Sequence, residues 1–156
     1  MTVFKNIFPL ILLLLFITSC ETDDDPIPEQ FETTFPIEEL DDSGVFGEIT
    51  FLKTDNNSTL ITVRLDGTQT GNSHPVRIHS TSPEQEGPVV RQLNPVNGST
   101  GISQTLVTVL ADGTATTYED WVSFDGYVLI HESEENMEMQ IALGLLGENI
   151  PNIPGG

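Results

Sequence analysis

Histidines are the residues of this chain best suited to chemistry, and two of them stand close together in His74-Pro75-Val76-Arg77-Ile78-His79. The third, His131, ends the apolar run "GYVLIH". Neutral imidazole is the commonest transition-metal ligand among side chains, so a metal centre is the chemistry to test. Such a centre needs three or four donors of matching softness. The chain offers three histidines, a single cysteine and many carboxylates. A site would therefore pair His79 and His131 with a carboxylate such as Glu132 or Asp125. Successive side chains of a strand point to opposite faces. His74 then shares a face with Val76 and Ile78, which read as core, whereas His79 shares the other with Arg77 and Pro75. The spacing gives no two-histidine clamp on one strand, although a bulge near Pro75 could re-aim these side chains. His131 lies on the face of Tyr127 and Leu129 and could meet His79 only across strands. The alternative is a set of strand-end histidines that pack and hydrogen-bond.

Other chemistry is thin. G-x-S-x-G, G-x-x-x-x-G-K and H-E-x-x-H do not occur, so the common nucleophile, phosphate and zinc-hydrolase signatures are missing. Glu134-Glu135 and Asp23-Asp24-Asp25 lie in polar runs, as solvated carboxylates do. Asp55, Asn56 and Asn57 could hold calcium weakly, but without the spacing of an EF-hand loop.

The elements that must position the histidines are short strands separated by turns. Val45, Gly47, Ile49 and Phe51 alternate with residues of the opposite face, and so do Ile61, Val63 and Leu65. Asp66-Gly67, Asn97-Gly98, Asp112-Gly113 and Asp125-Gly126 are turn-forming dipeptides. Apolar runs lie between them, including "PVVRQL", "ISQTLVTVL" and "YVLIH". "MEMQIALGLLG" fits a strand or a short helix. Strands at this spacing predict an antiparallel sandwich or barrel. "TYEDWV" and "SEENM" read as single helical turns capped by Thr117 and Ser133. Trp121 is expected as a core or rim anchor.

The chain ends of this domain are set by composition. Lys5 precedes an apolar run from Ile7 to Ile17, then Thr18-Ser19-Cys20. That is the form of a secretory signal, and the run is short for a membrane span. Residues 21–42, "ETDDDPIPEQFETTFPIEELDD", are acidic and proline-bearing with no basic residue. Such a segment repels itself and buries little, so residues 20–42 are expected to form a disordered acidic tether. Phe31, Phe35, Ile37 and Leu40 could dock on the domain, which is expected to span residues 43–149, with a flexible tail over 150–156. The formal net charge is −19. With Lys5 removed among the signal residues 1–19, the five Lys and Arg fall to four, against 24 Asp and Glu. This balance excludes nucleic acid and a flat approach to anionic lipid.

Ile17-Thr18-Ser19-Cys20 resembles the lipobox of bacterial lipoproteins. That resemblance implies that Cys20 is lipidated, becomes the mature N-terminus and anchors the chain to a membrane. Several acyl chains give stable anchoring, and the consumed thiol leaves no disulfide. The alternatives are an ordinary signal peptide with an incidental cysteine, or a short anchor. The acidic run after Cys20 resembles the surface-export signal of Bacteroidota lipoproteins, which implies an outward-facing outer-membrane protein; a periplasm-facing lipoprotein is the alternative.

"GTQTGNSHPVRIHSTS", "GPVVRQLNPVNGSTGIS" and "FDGYVLIH" together resemble the CHRD domain, named for chordin, over residues 43 to about 149. That pattern is in turn similar to the copper/zinc superoxide dismutases. The resemblance implies an all-β, antiparallel Greek-key β-sandwich. It places His79 on the second histidine of an H-x-H copper pair and His131 on a late copper histidine. His74 takes an upstream position that is not a ligand. Arg77 stands where the first copper histidine would be, and a guanidinium cannot bind a metal. The bridging histidine and the zinc histidines have no counterpart. The expectation is a non-enzymatic binding or structural module with an extracellular protein or other ligand as partner, no catalytic residues and no required cofactor. His74 and Arg77 would be structural. Weak copper binding by His79 and His131 is the alternative.

Overall fold

In a computed structural model, residues 31–54 and 57–147 are described. Eight strands follow one another: β1 (Glu32–Glu39), β2 (Phe46–Lys53), β3 (Thr59–Asp66), β4 (Ser73–Ser80), β5 (Val89–Asn97), β6 (Ile102–Val107), β7 (Gly126–His131) and β8 (Gln140–Leu146). One short helix, α1 (Tyr118–Val122), lies between β6 and β7. The all-β expectation holds. The strands pair antiparallel in the order β1-β2-β3-β6-β5-β4-β7-β8 and close into a barrel. Within it, β4, β5 and β6 are successive neighbours and β7 returns beside β4, which is a Greek-key order.

The barrel has two weak seams on opposite sides. β1 meets β8 in register at Glu38–Leu143 and Glu39–Ala142. β5 meets β6 in register at Asn97–Ile102. Side chains fill the second seam: the Asn94 amide donates to the Gln104 carbonyl at 2.7 Å, and the Ser103 hydroxyl donates to the Asn94 carbonyl at 2.6 Å. One closed sheet with two thin joints therefore stands where two separate facing sheets were expected. Side-chain bonds satisfy backbone groups that a splayed ladder leaves free.

The tether expectation is corrected over its second half. Residues 32–39 form β1, paired with β2 from Glu32–Leu52 to Ile37–Gly47. Phe35 and Ile37 are buried in the common core, while Glu32, Thr34, Pro36 and Glu38 face out. Period-two alternation of this kind outweighs acidic composition once a neighbouring sheet offers a place for the apolar face. Asp41 and Asp42 then turn the chain in left-handed backbone, at φ 51° and 54°, which Asp tolerates better than most residues. The domain thus begins before residue 43. The expected signal, Cys20, the first part of the tether and the tail over 150–156 lie outside the described residues.

The core is continuous. Ile49, Phe51, Ile61, Val63, Val76, Ile78, Val128 and Ile130 all point inward and are fully buried. Helix α1 closes one part of it. Thr117 caps the helix in a reciprocal capping box with Asp120, as its sequence predicts. Trp121 is the buried anchor, its ring 5.6 Å from that of Phe51 and 5.4 Å from that of Phe124. The segment "SEENM" is not helical; it forms bends and turns between β7 and β8, and "MEMQIALGLLG" resolves as strand β8.

Candidate functional site

The histidines lie on β4 and at the end of β7, adjacent strands of the barrel wall. Strand β4 is regular against β7: Val76 faces Ile130, Arg77 faces Leu129, Ile78 faces Val128 and His79 faces Tyr127. The register shifts beside β4 fall on its other neighbour, where the extra residues belong to β5. A bulge therefore does not re-aim His74 or His79, and they remain on opposite faces. His74 points with the core residues Val76 and Ile78, and is itself buried. Arg77 and His79 point outward.

Each imidazole is fixed the same way. His74 Nδ1 lies 2.8 Å from the Glu132 carbonyl, His79 Nδ1 lies 2.8 Å from the Gly87 carbonyl, and His131 Nδ1 lies 2.7 Å from the Met137 carbonyl. A carbonyl oxygen only accepts, so each Nδ1 donates and carries the proton. The three bonds tie connecting segments to the wall. Those of His74 and His131 hold the segment between β7 and β8, and that of His79 holds the segment between β4 and β5. The Nε2 atom of every histidine is buried without a hydrogen-bond partner.

The outer face does not bring His79 and His131 together. His79 stands level with Tyr127, and His131 lies four residues further along β7, beyond the Arg77–Leu129 rung. At about 3.3 Å per residue that is roughly 13 Å along the sheet. The His79 ring stacks on that of Tyr127, with ring centroids 4.8 Å apart and planes inclined by 15°. The position between the two histidines is held by Arg77, whose charge acts on His131. Among the described residues, no three of His, Cys, Asp and Glu gather as a metal-ligand set. Glu132 supplies its carbonyl to His74 and its carboxylate to Asn136. The residues present do not fit the copper centre that the sequence resemblance implies.

Burial pushes the His131 pKa below the usual imidazole range, the Met137 carbonyl opposes this, and Arg77 and then His79 lower it further. A depressed pKa in the folded state means that the unfolded chain takes up the proton first. Stability is then full above the ordinary imidazole pKa and falls as pH drops through it toward the depressed value, where the loss levels off. Thermal melting of the chain from pH 8 to pH 5 should show this fall, and it should be shallower in His131→Gln. An unchanged slope in the variant would assign the pH dependence to other groups.

Sequence reasoning missed the segment over His79. Residues Pro83–Gln85 make a short 3-10 turn, flanked by Thr81 and Glu86 in left-handed backbone at φ 65° and 48°. Gly87 follows, and a Cβ there would lie 1.7 Å from the Ser80 carbonyl oxygen. Only glycine lets the Gly87 carbonyl approach His79 so closely. The signal was present as "EGP" after two polar turns, but the pairing with His79 needs the fold.

No protein-family model matches the chain, and no curated protein is similar to it.

Proposed function

We propose that this chain is a non-enzymatic cell-envelope lipoprotein, anchored through Cys20, whose barrel is a single binding or structural domain of the CHRD type. The observation that carries the reading is Arg77, a guanidinium that cannot ligate a metal, on the rung between the two histidines that a copper site would need. His74, His79 and His131 each give Nδ1–H to a backbone carbonyl of a connecting segment. These imidazoles act as pins between the wall and its loops. The Greek-key order of the strands supports the likeness to CHRD domains and, more remotely, to copper/zinc superoxide dismutases. The lipobox-like Ile17-Thr18-Ser19-Cys20 and the acidic residues after it support an outer-membrane, outward-facing position. The partner is an extracellular protein or other ligand, and the net charge of −19 argues against nucleic acid.

A second reading, copper held by His79 and His131, is favoured by one observation: both Nε2 atoms are buried and unpartnered. An orphaned buried acceptor costs on the order of 1–3 kcal/mol, a cost that a ligand would remove.

The anchor is tested by metabolic labelling in a lipoprotein-processing bacterium. Radiolabelled palmitate should enter the wild-type chain and not Cys20→Ala, which should leave the membrane fraction. Equal labelling of the variant would overturn the anchor.

A further inference from the structure

The wall that carries His79 also carries a cavity, of about 270 Å³, on the outer side of β4, β7 and β8. Its lining includes the stacked rings of His79 and Tyr127, the apolar Leu129 and Leu143, and the exposed Glu86 and Gln140. Glu86 is the one carboxylate among the lining residues. Its charge reaches the Tyr127 phenol: burial raises that group's pKa, Glu86 raises it further, and the Gly87 amide opposes both. The segment that brings Glu86 to the cavity is built under strain. Thr81 is β-branched and sits at φ 65°, and Glu86 sits at φ 48°. A β-branched residue in this region is a genuine outlier, and strain of this kind persists where the surroundings hold it, often at ligand clamps. Here the hold is visible. The Thr81 amide donates to the Asp125 carbonyl at 3.0 Å, the Ser80 amide to the Pro88 carbonyl at 3.1 Å, and His79 to the Gly87 carbonyl at 2.8 Å. The result is a braced concavity in which the exposed Glu86 carboxylate lies among apolar and aromatic lining residues.

We propose that this cavity binds a primary ammonium group on an apolar stem. An ammonium has three donors and no acceptor, which suits the Glu86 carboxylate and the Gln140 amide oxygen. Methylenes pack on Leu129 and Leu143, as the stems of amphipathic cations do. A net charge of −19 concentrates cations at the surface and turns anions away. Free alkylamines and lysine side chains share this chemistry. The inference rests on the reading of the chain as a binding domain and gives that domain a site.

The test is titration of the purified full-length chain in detergent, followed by the ring resonances of His79 and Tyr127. n-Butylammonium should move both and saturate, with a dissociation constant on the order of millimolar for so small a ligand. Glu86→Gln, a change at an exposed position, should weaken binding roughly fivefold, as loss of a partly exposed ion pair implies. Butyrate and n-butanol should move neither resonance at the same concentrations. Nα-acetyl-lysine amide in place of butylammonium separates the two sources: binding favours a protein lysine, and its failure beside a positive butylammonium result favours a free amine. Equal binding of n-butanol, or equal affinity in Glu86→Gln, would overturn the ammonium site. So would the absence of saturable shifts at His79 and Tyr127. Copper content measured on the same sample separates this failure from that of the underlying reading, which a stoichiometric metal would sink.

Discussion

Deleting residues 21–42 should leave a chain that no longer folds to a stable barrel, whereas deleting residues 21–30 should leave every described contact in place. The larger deletion removes β1, a full stave between β2 and β8. It takes Phe35 and Ile37 out of the core, each worth about 1.5–3 kcal/mol of burial. It also removes the edge-to-face contact of Phe35 with Phe51, at 5.8 Å and 79°, and the whole β1–β2 ladder. Backbone hydrogen bonds contribute on the order of 1 kcal/mol each, so the sum rivals the roughly 5–15 kcal/mol that stabilises a typical domain. The open edges of β2 and β8 would in addition template association between chains. Circular dichroism and thermal melting of the two deletions decide the matter. A cooperative melt for the 21–42 deletion, within a few degrees of the full chain, would show that β1 is dispensable.

The second large effect is expected at Trp121. This side chain is fully buried, is held by a five-residue helix, and packs on Phe51 and Phe124. Trp121→Ala should cost about 3–5 kcal/mol, the range for truncating a buried large aromatic side chain. For a domain of this size that lowers the melting temperature by on the order of 10–20 °C. Trp121→Phe should recover much of the loss, because it keeps the ring contact with Phe51 and removes an indole N–H that has no partner. A shift of only a few degrees in Trp121→Ala would mean that α1 is not part of the cooperative unit.

β1 also shows where sequence reasoning failed. Phe35 and Ile37 carry the alternation of a strand, but the surrounding glutamates, aspartates and Pro36 carry the composition of a linker. Composition is a property of the segment alone, whereas burial depends on the sheet edge that receives it. Pro36 is tolerated because β1 pairs with β8 in register only at Glu38 and Glu39 among the described residues. The close approach there needs Gly144, where a Cβ would lie 2.7 Å from the Pro36 carbonyl oxygen. The turns after Asp66, Asn97 and Asp112, the capped helix at Thr117 and the opposite faces of His74 and His79 were legible, because each follows from local backbone rules, whereas Asp125-Gly126 leads straight into β7. Closure into a barrel was not legible, since it depends on two non-local seams. The cross-strand distance between His79 and His131 depends on the β4–β7 register, which a single sequence leaves open. The carbonyl partners of the three imidazoles lie on loops whose path only the fold sets.

Arg77 remains the informative residue of "HPVRIH". It fills the position between His79 and His131 on the outer face, so that Arg77→His would set imidazoles on the same face at steps of two residues. Copper measured by atomic emission in the purified full-length chain, after equilibration with copper and desalting, tests the pinning role of the histidines most directly. The wild type should retain far less than one copper per chain, and Arg77→His should retain more than the wild type. Stoichiometric copper in the wild type, lost in both His79→Ala and His131→Ala, would contradict the account.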